Sequence, residues 1–182
     1  MDGWLVLVVG PSGAGKDTLI AAAKGALADD PRVVFPRRVI TRSAVAALED
    51  HDSVSAERFA AMRAAGDFAL DWQAHGLCYG LPASLLDDLL AGRTVVVNGS
   101  RAVVAETARR FPNVRVLLVE AAPEVRAARL AGRGRESAEE IRRRLAREVA
   151  TPLPGAIRID NSGALRDATA AFLAALRISG PA

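Results

Sequence analysis

The stretch GPSGAGKDTL, residues 10–19, sets three glycines, one lysine and one carboxylate within a single short segment. Gly10, Gly13 and Gly15 allow backbone conformations closed to other residues, so that N–H groups can converge on an anion. Pro11, Ser12 and Ala14 complete the loop, and Lys16 stands where its ammonium reaches the β- and γ-phosphates of a bound nucleotide. The usual pattern continues with Ser or Thr, whose hydroxyl meets magnesium, but here Asp17 takes that place and Thr18 follows. A carboxylate is itself a ligand for a hard cation. Asp17 with Thr18 is therefore the expected metal site, and Asp17 as a first-turn helix residue favoured by the dipole is the alternative.

Such a loop works only between a buried strand and a helix. WLVLVV, residues 4–9, predicts the strand, and 16–28 the helix whose N-terminus adds partial positive charge at the phosphates. TVVV (94–97) and VRVLLV (114–119) predict two more buried strands, each followed by a helix, over 101–110 and 123–130; Pro123 suits a first helical turn. AIRI (156–159) predicts a last strand and 164–176 a closing amphipathic helix. Strands separated by helices of this length imply an α/β fold with a parallel sheet covered on both faces.

Two stretches break that rhythm. Residues 36–79 are less apolar, with a helix over 56–65 capped by Ser55 and short extended pieces, RRVIT and FALDWQ, around it. The second, AGRGRESAEEIRRRLARE, alternates glycine with arginine and then becomes a strongly charged helix.

The bulk numbers exclude several classes. In 182 residues, 51% are hydrophobic and 25% charged, enough for one compact domain and too much apolar content for disorder. A net charge of +3, with acidic residues interspersed among the arginines, gives no reason to expect nucleic acid. Cys78 is the only cysteine, so no intrachain disulfide forms, and it reads as a small apolar filler. The first apolar run is shorter than a membrane span and carries no basic leader, so a cytoplasmic protein without membrane partners is expected, as monomer or homodimer. His51, between Asp50 and Asp52, and His75 have no partners at metal-ligand spacing; His51 reads as an exposed histidine or one that reaches substrate hydroxyls. Trp72 reads as core, and Asn161 in NSG either borders a nucleotide base or serves the turn.

GPSGAGKD, RVITR, LDWQAHGLCYG, VVVNGSR and GRGRESAEEIRRRL, in this order, resemble guanylate kinase-type nucleoside monophosphate kinases over nearly the whole chain. Within them, Gly-Lys-Asp and VNGSR are most similar to the ribose 1,5-bisphosphate phosphokinases. The resemblance implies a three-layer P-loop NTPase fold with a parallel core sheet (about 1–35, 80–128 and 150–182), an acceptor-binding subdomain (about 36–79) and a lid (about 129–149). It implies ATP and Mg2+ as cofactors, and ribose 1,5-bisphosphate as acceptor. Arg42 and Tyr79 fall where the family grips the acceptor phosphate, and Asp71 where a carboxylate reads the acceptor. Arg133 and Arg144 fall where lid arginines meet nucleotide phosphates; Arg135 is a further candidate, and Arg142, Arg143 and Arg147 read as a solvated helix face.

Departures bear on the acceptor. The second phosphate-gripping arginine after the TTR motif is absent from TRSAVAALED, and Leu81 replaces a polar residue that helps read guanine. A base pocket stripped of hydrogen-bonding groups discriminates poorly, so an acceptor without a base fits better than GMP. Asn98 ends its strand where this fold class usually carries a carboxylate; it is assigned to the substrate, with Asp17 restoring the missing negative charge.

Overall fold

The computed structural model describes residues 2–42, 51–74, 76–132, 139 and 153–177. Arg133, Arg135, Arg142, Arg143, Arg144, Arg147 and His75 lie outside the described residues, and with them most of the expected lid. The chain divides into two compact units, Met1–Leu7 with Leu27–Arg115, and Val8–Ala26 with Val116–Ala182.

The dividing line crosses β1 (Trp4–Val9), in which Leu5 to Val9 are all fully buried. An unbroken apolar run of this kind needs cover on both sheet faces, which is the situation of a central strand. The five-stranded sheet has the order β2-β7-β1-β8-β9, formed by β2 (Val33–Val34), β7 (Thr94–Asn98), β1, β8 (Val114–Glu120) and β9 (Ile157–Asp160). β2 pairs with β7 in parallel and β8 with β9 in parallel, as strands joined through helices must.

The first unit also carries a sheet of its own, larger than the two short extended pieces expected from the sequence. β3 (Arg38–Ile40), β4 (His51–Ser53), β5 (Phe68–Ala74) and β6 (Leu77–Pro82) lie in the order β4-β3-β6-β5. β5 and β6 form an antiparallel hairpin whose turn contains Gly76 at φ +74°. α2 (Ala56–Ala64) starts at Ser55, whose hydroxyl accepts from the Arg58 N–H, the expected cap. Phe59 of that helix stacks on Phe68 with centroids 4.7 Å apart. The Phe68 ring lies where a Cβ on Gly80 would sit, 2.5 Å away, so only glycine fits there. α3 (Leu85–Leu90), not foreseen from the sequence, buries Leu85 and Leu89. After β7 the expected helix opens as a 3-10 turn (Arg101–Val103), with the Ser100 hydroxyl accepting from the Ala102 N–H, before α4 (Val104–Arg110).

In the second unit, α1 (Lys16–Ala26) follows the glycine loop and packs on α6 (Leu165–Leu176), which buries Phe172 and Leu176. α5 (Pro123–Ala131) has Pro123 in its first turn, where the missing N–H costs nothing. Among the described residues no helix is long and apolar enough to cross a membrane.

Candidate active site

In the second unit, the loop after β1 turns on three glycines in the left-handed region, Gly10 at φ +147°, Gly13 at +80° and Gly15 at +90°. Each is also crowded. A Cβ on Gly10 would lie 2.0 Å from the Val119 carbonyl oxygen, on Gly13 3.0 Å from the Arg126 carbonyl oxygen, and on Gly15 2.4 Å from Asn161 Nδ2. These positions therefore demand glycine twice over, for conformation and for space. The Lys16 Nζ folds back to donate to the carbonyls of Gly10 at 2.7 Å and Pro11 at 3.2 Å. That brace holds a cation beside the loop whose N–H groups and helix N-terminus favour an anion.

The loop is also held from behind, by residues that sequence reasoning did not single out. Arg126 is 8% exposed and its Nε donates to the Ser12 carbonyl at 2.9 Å. Arg129, one turn on, donates to the carbonyls of Gly13, Ala14 and Asn161, the last at 2.8 Å. With its carbonyls bonded outward to guanidinium groups, a loop is left to turn N–H groups the other way. The signal for this pair was present: two arginines three residues apart share one helix face.

Asn161 is 2% exposed, and its Nδ2 donates to the Ala14 carbonyl at 2.8 Å while its own N–H bonds to Glu120. The structure thus shows it bracing the loop backbone. Next to it, Asp160 receives the Ser162 hydroxyl at 2.6 Å and the Ser162 N–H at 2.9 Å, which holds its carboxyl below the usual range.

Asp17 and Thr18 are exposed in the first turn of α1. Magnesium keeps most of its waters and takes one or two carboxylates plus phosphate oxygens rather than a full protein cage. One exposed carboxylate with a neighbouring hydroxyl fits that demand, and among the described residues no cluster of three or more His, Cys, Asp or Glu offers an alternative.

In the first unit, the register of the smaller sheet sorts the acceptor candidates by face. Opposed residues share a face and successive ones alternate. Ile40, Tyr79 and Trp72 lie in one row, and Val39, Gly80 and Asp71 in the next. Tyr79 stacks on Trp72 at 5.3 Å with ring planes 6° apart; Trp72 is buried, as expected, and fixes the tyrosine. The Arg38 guanidinium lies 5.8 Å from the Tyr79 ring centroid and donates to the Asn98 carbonyl at 3.4 Å. Asp71 is on the other face, hydrogen-bonded and ion-paired with Arg63 of α2. The structure therefore brings Tyr79 and Asn98 together through Arg38 and does not bring Asp71 to them. Arg42 is half-buried just past β3, next to Thr41, whose hydroxyl accepts from the Cys78 N–H at 2.8 Å. His51 corrects an expectation: it is 5% exposed, because it opens β4, paired with Arg38 of β3. Its carbonyl accepts from Arg37, which also pairs with Asp52 at 3.0 Å.

No family model matches the chain. Among curated proteins, it is 55% identical over 175 residues to a ribose 1,5-bisphosphate phosphokinase of Acidiphilium cryptum, covering 96% of this chain and 93% of that one. It is 50% identical over 173 residues to the same-named protein of Brucella melitensis, covering 94% and 90%. A bifunctional ribose 1,5-bisphosphokinase-thymidine phosphorylase of Azorhizobium caulinodans is 50% identical over 178 residues; the chain spans only 26% of that protein's length. Among solved structures, guanylate kinase from Anaplasma phagocytophilum matches with a TM-score of 0.70 over 98% of this chain and 86% of that one, at 16% identity. A gluconokinase from Sinorhizobium meliloti matches at 0.51, covering 96% and 91% at 17% identity. At those identities the structural matches establish an α/β, guanylate kinase-like fold.

Proposed function

The chain belongs to the ribose 1,5-bisphosphate phosphokinase family, and from that membership we infer that it transfers the γ-phosphoryl group of ATP to the 1-phosphate of ribose 1,5-bisphosphate, giving 5-phosphoribosyl 1-diphosphate and ADP. The observation that carries the donor half is the glycine loop, in which a Cβ at Gly10 would strike backbone and Lys16 is braced over the turn. The acceptor half rests on the family and on the loss of one of the polar groups that help read guanine, replaced by the buried, apolar Leu81.

The nucleophile is an oxygen of the 1-phosphate, already ionised at neutral pH, so no side chain has to remove a proton. That oxygen bonds to the γ-phosphorus as the bond to the β,γ-bridging oxygen breaks, and the electron pair leaves on ADP. What remains for the protein is in-line placement of two anions and cancellation of their charge. Loop N–H groups and Lys16 hold the β- and γ-phosphates; Arg42 and Tyr79 hold the acceptor phosphate. Asp17 and Thr18 would hold Mg2+, which supplies charge neutralisation on the donor phosphates when bound. Arg133 and Arg144 complete the charge balance, since a planar guanidinium takes phosphate in a bidentate manner. Dependence on ATP supports a cytoplasmic location for the reaction.

Measuring ADP release from ATP and Mg2+ with ribose 1,5-bisphosphate, and separately with GMP, tests this. Turnover with the sugar bisphosphate is expected. Turnover with GMP alone would make the protein a nucleoside monophosphate kinase, and turnover with neither would make it a binding module.

A further inference from the structure

We propose that Arg126 and Asn161 are positioning residues that preset two N–H groups of the glycine loop, those of Gly13 and Gly15, for the phosphates of the donor; this rests on the donor half of the function proposed above. The glycines that let the loop form also leave its peptides free to turn over, because a residue without a Cβ accepts φ of either sign. A group outside the loop must choose the direction. Arg126 Nε donates to the Ser12 carbonyl at 2.9 Å, and Asn161 Nδ2 donates to the Ala14 carbonyl at 2.8 Å. Among the described residues no peptide bond is cis, and across a trans peptide C=O and N–H point in opposite directions. Fixing the Ser12 carbonyl therefore turns the Gly13 N–H away from Arg126, and fixing the Ala14 carbonyl turns the Gly15 N–H away from Asn161. Neither N–H donates to a backbone carbonyl among the described residues, whereas the Ala14 N–H between them is taken by the Pro11 carbonyl at 3.3 Å.

Both side chains are buried, so neither exchanges its loop carbonyl for water. Asn161 is held in turn: Arg129 donates through Nη2 to its carbonyl at 2.8 Å, and through Nη1 reaches the same Ala14 oxygen at 3.4 Å. The amide keeps its loop bond at a cost in stability, since its Oδ1 is buried without a hydrogen-bond partner among the described residues. Turning the amide over would set that oxygen against the Ala14 oxygen, so the donor faces the loop. An apolar residue could fill the space without the cost, but it could not hold the Gly15 peptide. Donors fixed before the nucleotide arrives need no ordering when it binds. Nor do they reorganise as charge shifts during transfer.

Titrating the nitrogen-15-labelled protein with ADP and Mg2+, read by amide NMR, tests each peptide separately. In the wild type the Gly13 and Gly15 amide protons should move downfield as they bond phosphate oxygens. At saturating ADP, Arg126→Met, similar in length but without a donor, should lose most of the Gly13 shift and keep that of Gly15. Asn161→Ala should do the reverse. Each variant should bind ADP about 3- to 10-fold more weakly, the loss of one hydrogen bond. Arg126→Gln should restore both readings, since its amide nitrogen stands as many bonds from the backbone as the arginine Nε it replaces. A merely structural role would disturb the two glycines together. Substitutions that move both amides alike or neither, or a glutamine that does not rescue, overturn the assignment in a protein that binds ADP. If Arg126→Met does not fold by urea titration, Asn161→Ala must still separate the two glycines and Arg126→Gln must still bind as the wild type does. A wild type that binds no ADP sinks the donor half of the proposed function, and this assignment with it.

Discussion

Gly15→Ala tests how tightly the loop is built. Gly15 has φ +90°, where an alanine costs about 1–2 kcal/mol. Its new Cβ would also lie 2.4 Å from Asn161 Nδ2. That amide cannot simply swing away, because it is buried and donates to the Ala14 carbonyl at 2.8 Å. Overpacking against a held group adds about 1–3 kcal/mol, so the single substitution should cost about 2–5 kcal/mol. In an Asn161→Ala background the clash is gone and only the backbone strain remains, about 1–2 kcal/mol. The double-mutant cycle should therefore show a coupling of about 1–3 kcal/mol between the two positions. Urea unfolding followed by circular dichroism measures all four proteins, with slopes compared to ensure that the midpoint alone moves. If the two substitutions add within about 0.5 kcal/mol, the contact that defines the back of the loop is not there, and the reasoning fails.

Asp17→Ser should raise the magnesium concentration needed for half-maximal turnover, by removing the anionic ligand; an unaltered magnesium dependence would return Asp17 to the role of a first-turn helix residue. Asp30 receives the Arg32 guanidinium through Nε and NH2, each at 2.8 Å, and the Arg32 N–H at 3.0 Å. The side-chain hydrogen bonds first, then the backbone one, lower its carboxyl from 3.8 to about 2. A depressed carboxylate stabilises the fold above its unfolded pKa and loses that contribution as pH falls through the folded value, so the window runs from 3.8 down to about 2. Arg32→Ala should return the Asp30 midpoint in an NMR titration toward 3.8, and a midpoint that stays put would show that the pair does not form in solution.

The phosphate loop was legible because its chemistry is local: glycine spacing, one lysine, and an apolar run before it are all contiguous in GPSGAGKD and WLVLVV. β1, β7 and β8 were legible for the same reason, since a strand buried on both faces writes itself as consecutive branched residues. β2 and β4 were not, being two and three residues long and recognisable as strands through their pairing with β7 and β3. His51 was misread because a histidine flanked by aspartates looks solvated, while its pairing with Arg38 is set by a strand thirteen residues away. Asp71 kept its place in the LDW motif but not beside Tyr79. Alternation along β5 turns it to the face of α2, where Arg63 waits, and that follows from register rather than from motif. Arg126 and Arg129 were passed over because a surface arginine is the ordinary expectation; burial against loop carbonyls is a tertiary fact.

The central claim is that one phosphoryl group moves from a triphosphate in the loop to a phosphate, leaving every sugar hydroxyl untouched. Phosphorus-31 NMR of the purified protein with ATP, Mg2+ and ribose 1,5-bisphosphate reads this directly. A pair of coupled diphosphate resonances should grow at the 1-position together with those of ADP, while the 5-phosphate signal stays a monophosphate. ADP accompanied only by inorganic phosphate, or a new signal at a sugar hydroxyl or at the 5-position, would contradict it.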